Sequence, residues 1–386
     1  MRVGFNAHLL SYRHGYRSAG ISRYLDRTLA HLEPHLDKTN SVAFVGPEIP
    51  RSVPSLHWIT LSRTALPTQR PVVRILWEQL ILPVAAQRWQ VDLVHCPAYV
   101  APLIGAHRSV VTFHDLSYLR MPRAFNRANQ GYLSSFSRIA AARATRFIAV
   151  SESTRRDMVE LLGIDEKRID VVYNGVDEQF QPIADPRIVE SFRHDHNLPA
   201  QFILFLGTLE PRKNVSTLVR AYAVARRQGV TVPLVLAGGG GWGDLQLHRL
   251  IDELNLASSV RLVGFVAMED QALWYNAASL FAYPSLFEGF GLPVLEAMAA
   301  GTPVVTSNRS SLPEVVGTAG IMVDPTDVEQ LAAAIGSVLS DEDLRLDLRS
   351  RGLERARLFT WTRTAAGTFD TFRRALGTHP APIQPR

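Results

Sequence analysis

Short runs rich in β-branched and aromatic residues alternate with longer amphipathic stretches along most of the chain. This alternation constrains the fold more than any other feature. In the first half the runs are RVGFNA, SVAFVG, DLVHC, SVVTFHD, FIAVS and IDVVYNG; in the second they are FILFLGTL, PLVLAGG, VRLVGFV, LFAYPS, PVVTS and GIMVD. Helical periodicity fills the intervals, as at Val215–Arg227 and Glu269–Ala278. Such alternation predicts an α/β protein of doubly wound parallel sheets, with helices on both faces. The pattern pauses at Asp177–Ala200, a polar stretch with three prolines. We read it as a linker between an N-terminal domain over 1–183 and a C-terminal domain over 200–360. The final stretch, FTWTRTAAGTFDTFRRAL, predicts a helix over about 361–377 that packs back across the domains, with Trp361, Phe369 and Phe372 as anchors.

At 386 residues the chain suits two domains, each with its own core. One cysteine, Cys96, excludes an intrachain disulfide and suits a reducing compartment. The N-terminus MRVGFNAHLL lacks the apolar core of a signal peptide and reads as a buried strand. No apolar run approaches the roughly 20 residues of a membrane-spanning helix, so a cytoplasmic protein is expected. Charge is uneven: residues 1–185 hold 22 Lys/Arg against 16 Asp/Glu, although the whole chain is only +5. Between 97 and 150 stand Arg108, Arg120, Arg123, Arg127, Arg138, Arg143 and Arg146 with one acid, Asp115. This is either a solvated basic face or a surface for anionic lipid head groups at the inner face of the cell membrane. Nucleic acid is not expected, because no interleaved aromatics or binding module accompany the arginines.

The stretch YPSLFEGFGLPVLEAMAAGTPVVTS, Tyr283–Ser307, concentrates the candidate chemistry. It reads as a strand, a glycine-rich turn and a helix that ends at Gly301, with Pro293 in the first helical turn. Gly289 and Gly291 allow close backbone approach, and free N–H groups at the helix start suit an anion or sugar hydroxyls. Glu288 lies before the helix and Glu296 about one turn inside it, roughly 10 Å apart by helical rise. Paired carboxylate oxygens suit the vicinal hydroxyls of a ribose or hexose, although either glutamate could instead serve a surface ion pair. Upstream, LGTLEPRKNV ends a strand and starts a helix, with Asn214 a plausible N-cap. Arg212 and Lys213 stand there as adjacent cations, complementary donors for a diphosphate whose charge grows as a bond breaks. The histidines are not at metal-ligand spacing, and no metal or cofactor is expected. AGGGGWG, Ala237–Gly243, follows a strand but lacks the spacing of a dinucleotide fingerprint, and reads as a β–α turn.

The spacing EGFGLPVLE resembles the Glu–seven residues–Glu signature of the retaining glycosyltransferases of family 4, which have the GT-B fold. FNAHLL…SAGISRYLDRTL, DLVHCPAY, VVTFHDLS, FIAVSESTRRDM, VVYNGVD, LGTLEPRKNV, LAGGGGWG, GTPVVTSNRSSLPEV and FTWTRTA follow in that family's order, so the resemblance runs essentially the full length. It implies two Rossmann-like domains with an interdomain cleft. The C-terminal domain would hold a nucleotide-diphosphate sugar, and the N-terminal domain a glycan or lipid-linked acceptor.

The resemblance also implies roles. Glu288 would contact the donor sugar and Glu296 the nucleotide ribose, with the backbone of Gly289, Phe290, Gly291 and Leu292 near sugar and phosphates. Gly20 would meet the diphosphate from the N-terminal side, and His114 would reach the donor sugar. His8 and His95 are read as structural. Many relatives carry Gly-Arg where this chain has Gly207-Thr208, so the arginine's role falls to Arg212, beside Lys213. Val266 is a candidate base contact. The pattern looks most like mannosyltransferases using GDP-mannose, without a metal. The alternatives are a UDP-sugar-dependent enzyme of the same fold, a nucleotide-sugar epimerase and a non-catalytic nucleotide-sugar-binding protein.

Overall fold

The structure, a computed structural model, describes residues 1–12, 20–36, 41–105, 108–122, 125, 127–239 and 244–378. It divides into two units, Met1–Gly175 with Trp361–Arg386, and Val176–Thr360.

Unit 1 is built on a seven-stranded parallel sheet. Its strands are β1 (Val3–Asn6), β2 (Ser41–Val45), β3 (Thr60–Arg63), β4 (Leu93–Cys96), β5 (Arg108–Phe113), β6 (Arg146–Ala149) and β7 (Ile169–Val171), in the order β3-β2-β1-β4-β5-β6-β7. Unit 2 has six parallel strands. These are β8 (Ile203–Leu206), β9 (Leu234–Ala237), β10 (Val260–Gly264), β11 (Leu280–Tyr283), β12 (Val304–Ser307) and β13 (Ile321–Val323), in the order β10-β9-β8-β11-β12-β13. In each sheet the order reverses once, between β1 and β4 and between β8 and β11. Ligands of open α/β sheets bind beyond the carboxyl ends of the strands at such a switch point.

The buried β8, β9 and β11 are apolar and β1, β2 and β4 each carry one polar residue, as double-sided burial favours, while β12, VVTS, ends in two buried hydroxyls. The sequence reading misses β3. Its residues, TLSR, are part-exposed or exposed at the sheet edge, where no apolar run is needed.

The stretch read as a linker is structured and belongs to unit 2. Asp185 caps a helix over Pro186–Asp195, its carboxylate accepting from the Arg187 N–H at 3.0 Å. Val189 and Phe192, three apart, are the helix's buried face, and Phe192 meets Trp274 edge-on at 5.4 Å. The change of unit therefore falls at 175–176 rather than between 183 and 200.

The last helix, Trp361–Leu376, lies in unit 1. Phe372 packs on Phe5 of β1 at 6.0 Å, Phe369 stacks on His35, and Thr364 donates to the Tyr173 carbonyl at 2.7 Å.

Candidate functional site

β8 and β11 flank the switch point of unit 2, and the segments that leave their carboxyl ends carry Arg212, Lys213 and Glu288. The geometry brings the three together. Lys213 Nζ donates to Glu288 Oε1 at 2.6 Å, and Arg212 Nη1 donates to Glu288 Oε2 at 3.2 Å. Tyr283, the last residue of β11, donates its hydroxyl to Glu288 Oε1 at 3.0 Å and accepts from Lys213 Nζ. Ser285 Oγ stands 2.7 Å from the same carboxylate oxygen. Arg212 also pairs with Glu210 through Nε at 3.0 Å.

Lys213 and Glu288 are each only 6% exposed, so their charges interact with little screening. Burial alone would raise the Glu288 pKa; Lys213 and Arg212 outweigh it and hold the carboxyl at about 2. Burial draws Lys213 down from its usual value, against the pull of Glu288.

The turn around Glu288 is held from a second loop. The Glu288 N–H donates to Ser310 Oγ at 3.2 Å, and Ser311 Oγ donates to the carbonyls of Glu288 and Phe290 at 2.9 and 2.8 Å. Gly291 caps the helix Leu292–Ala299 at φ 106°, and a Cβ there would lie 2.7 Å from Leu312 Cδ2. Only glycine fits that position without displacing its neighbour. Inside the helix, Glu296 is buried and accepts from the Tyr275 hydroxyl at 3.0 Å.

Gly207 follows β8, and Gly238 follows β9. A Cβ on Gly238 would sit 1.8 Å from the Gly207 carbonyl oxygen, so these two backbones touch only because Gly238 has no side chain. Val266, after β10, is buried. Residues 240–243 of the glycine-rich turn lie outside the described residues. Asn214 occupies the N-cap position of the helix Val215–Arg227, but its side chain does not cap it. Its amide instead donates to the carbonyls of Pro284 and Pro325 at 3.1 and 2.6 Å, tying the cation segment to the β11 loop.

Gly20 and His114 lie in unit 1 and are described within it. Gly20, at φ 57°, starts the helix Ile21–Leu32. Tyr24 of that helix meets the His114 ring edge-on at 4.7 Å. His114 follows β5 and donates from Nε2 to the Pro97 carbonyl at 2.7 Å, which leaves Nδ1 as an acceptor. Burial lowers its pKa to about 4, so the imidazole is neutral at pH 7.

A cavity of about 320 Å³ opens beyond β1 and β2, lined by His8, Ser11, Ser22, Thr68, Gln69 and Arg74 among others. From the sequence, His8 reads as structural. In the fold its Nδ1 is 3.0 Å from Thr68 Oγ1 and its ring lies against Trp77, but its buried Nε2 has no hydrogen-bond partner. Behind it Asn6 donates to Glu78 Oε1 at 3.0 Å, while Asn6 Oδ1 and Glu78 Oε2 are buried without partners. His95 is structural: it is fully buried, 3.0 Å from Thr112 Oγ1 and packed against Phe5 and Phe372.

The arginines read as a basic face are partly spent inside unit 1. Arg120 pairs with Asp157 and Glu160, Arg146 binds Asp170 through two nitrogens at 3.0 Å, and Arg108 donates to the Ala375 carbonyl. Arg123 lies outside the described residues. Among the described residues no cluster of three or more His, Cys, Asp or Glu could hold a metal ion.

Known proteins carry the same architecture. The family model described as glycosyl transferases group 1 matches residues 187–355, and that described as glycosyltransferase family 4 matches 18–180. The chain is 33% identical over 282 residues to O-antigen chain mannosyltransferase B of Escherichia coli, covering 73% of this chain and 74% of that protein. It is 34% identical over 238 residues to the serotype-specific mannosyltransferase WbdA of Escherichia coli, 61% of this chain but only 29% of WbdA. It is also 35% identical over 246 residues to D-inositol 3-phosphate glycosyltransferase 2 of Catenulispora acidiphila, 60% of this chain and 57% of that protein. Among solved structures, sucrose-phosphate synthase from Thermosynechococcus elongatus superposes with a TM-score of 0.76 at 22% identity, over 98% of this chain and 100% of that one. The two parallel-sheet units, the strand-end glutamate and cations, and these matches together place the chain in the GT-B glycosyltransferase family of the group 1 and family 4 type.

Proposed function

We propose that this glycosyltransferase is a retaining, metal-independent hexosyltransferase that moves mannose from GDP-mannose to a glycan or lipid-linked acceptor. The observation that carries the reading is the cluster of part-exposed Arg212 with buried Lys213 and Glu288 at the β8/β11 switch point. Two fixed cations beside a strand end suit a departing diphosphate. The adjoining carboxylate, ionised at neutral pH, suits the hydroxyls of the sugar. Glu296, held by Tyr275, would accept from the ribose. The kinship with the O-antigen mannosyltransferase supports mannose as the sugar.

In the reaction the bond between the sugar's anomeric carbon and the diphosphate oxygen breaks. The bond to the acceptor oxygen forms on the same face, and the acceptor proton passes to the departing phosphate oxygen. No side chain of the protein need act as general base. Lys213 and Arg212 oppose the charge that grows on the diphosphate, and Glu288 orients the sugar.

The acceptor would enter unit 1 at the cavity beyond β1 and β2. Its size is within the range of small-molecule pockets, and His8 Nε2 is a buried polar atom that a hydroxyl could satisfy. Arg74, the guanidinium in the lining, lies 3.8 Å from the Glu78 carboxylate, which favours a neutral sugar over a phosphate.

A thermal-shift comparison of GDP-mannose, UDP-glucose and ADP-glucose tests the donor, since a ligand of the folded state alone raises its stability. GDP-mannose should give the largest upward shift. A larger shift with UDP-glucose would reassign the donor, and no shift with any of them would overturn the reading. Transfer should also continue unchanged in excess EDTA.

A further inference from the structure

The segment Pro71–Arg88 of unit 1 is helical throughout, but its middle turn, Trp77–Ile81, is a π-turn. One side of the segment is core. Trp77, Leu82 and Ala86 are buried in the unit's apolar cluster, with Trp77 against Phe44. The other side is also apolar, and it faces solvent: Val72 is 68% exposed, Leu76 54% and Leu80 58%, with Ile81 and Val84 exposed as well. An α-helix returns to one face every 3.6 residues, so a strict four-residue spacing drifts around it. The wider turn at Trp77–Ile81 offsets that drift and keeps Val72, Leu76, Leu80 and Val84 on one stripe. Ile104, exposed beside Leu82 and Pro83, extends the patch.

A surface helix of a soluble domain normally shows a polar face outward. A contiguous exposed apolar patch marks an interaction site. The charge around this one selects its partner. From residue 49 to 91 the only acid is Glu78, which is buried, whereas five arginines stand in the same span. Arg70 and Arg88, at the two ends of the segment, are exposed, and exposed Arg143 lines the small cavity beside Ile104. Apolar residues ringed by arginines, with no exposed acid in the span, match an anionic lipid surface. The apolar side chains would enter the acyl boundary while the guanidinium groups meet head-group phosphates. Among the described residues no helix is long and apolar enough to cross a membrane, so the contact would be interfacial.

We infer that the exposed stripe Val72–Leu76–Leu80–Val84 is a docking surface for anionic lipid bilayers. This inference is independent of the donor assigned above. Of the 97–150 arginines it takes only Arg143, whereas Arg120 and Arg146 are spent on internal bonds.

Flotation with two vesicle types tests it: phosphatidylcholine alone, and phosphatidylcholine mixed with phosphatidylglycerol. The full chain should float with the mixed vesicles, stay behind with phosphatidylcholine alone, and be released as salt is raised. The Leu76→Ser/Leu80→Ser variant changes only exposed side chains. It should keep the wild-type melting temperature and donor-induced thermal shift, yet bind the mixed vesicles roughly tenfold or more weakly. Wild-type protein that ignores mixed vesicles, or a double variant that binds them equally well, overturns the inference. So does a concentration-dependent dimer that the double variant abolishes while vesicle binding is absent, since the stripe would then serve a second copy of the chain.

Discussion

Both units carry polar side chains beyond the carboxyl end of their first strand, β1 in unit 1 and β8 in unit 2, but they treat them oppositely. In unit 2, both oxygens of Glu288 are paired, and Arg212, Lys213, Tyr283 and Ser285 converge on its carboxylate. In unit 1, His8 Nε2 is buried in the wall of a cavity without a partner, and Asn6 Oδ1 and Glu78 Oε2, outside that lining, are also buried without partners. Burial of an unsatisfied polar group costs free energy, so one in the wall of a cavity marks a place where a ligand could satisfy it. The contrast fits a division of labour. The unit 2 site is organised in advance, and a charged ligand would enter it by exchanging partners. The unit 1 site is left open, and a neutral hydroxylated ligand would complete it.

The largest effect should come from breaking the closed site. Lys213→Ala removes a cation that contacts Glu288 and that the proposed reaction sets against the diphosphate. Turnover should fall by about 10²–10³-fold, equivalent to about 3–4 kcal/mol of transition-state stabilisation. Because the variant leaves Glu288 buried with Arg212 as its one cationic partner, chemical denaturation should also show a loss of about 3–5 kcal/mol. A variant with near-normal turnover would remove Lys213 from the chemistry.

Acid should act on the same site. Glu288 is held at about 2 against an ordinary 4.5, so its ionised form is favoured in the folded state. The stability this contributes is complete above pH 4.5 and lost as pH falls from there towards 2, on the order of 3 kcal/mol in total. Denaturation curves across that window should show a decline that Glu288→Gln lacks. Equal declines in both proteins would place the acid sensitivity elsewhere.

The smallest effect on stability is expected in the open site. His8→Leu removes an unsatisfied buried nitrogen but deprives Thr68 of its 3.0 Å contact. The two should nearly offset, leaving stability within about 1 kcal/mol. The acceptor KM should rise severalfold while affinity for the donor stays unchanged. A large loss of stability with unaltered acceptor kinetics would make His8 structural, as the sequence alone had it.

The closed site was more legible than the open one. Arg212, Lys213, Glu288 and Glu296 stand in contiguous motifs whose spacing carries chemical meaning. Their partners do not: Ser310 and Ser311 reach Glu288 from more than 20 residues away, and a pair of serines in a loop has no pattern of its own. Tyr283 ends an apolar strand and reads as core until its hydroxyl is seen on Glu288. The cavity of unit 1 gathers residues from four distant segments around His8, Ser22, Pro47 and Thr68, which no local spacing records. The exposed stripe was hidden for another reason. Its apolar residues cover both faces of a helix, and only the fold shows which face is packed.

The central claim, that the cations hold the diphosphate and Glu288 the sugar, is tested most directly by calorimetry. The nucleoside diphosphate selected in the thermal-shift screen would be titrated into the wild type, Lys213→Ala and Glu288→Gln. Lys213→Ala should weaken binding about tenfold or more, as expected for loss of a charge-assisted contact. Glu288→Gln should leave the affinity unchanged or raised, because it releases both cations from their carboxylate, although transfer itself is lost. If Glu288→Gln weakens nucleoside diphosphate binding as much as Lys213→Ala does, sugar and diphosphate are assigned to the wrong ends of the site.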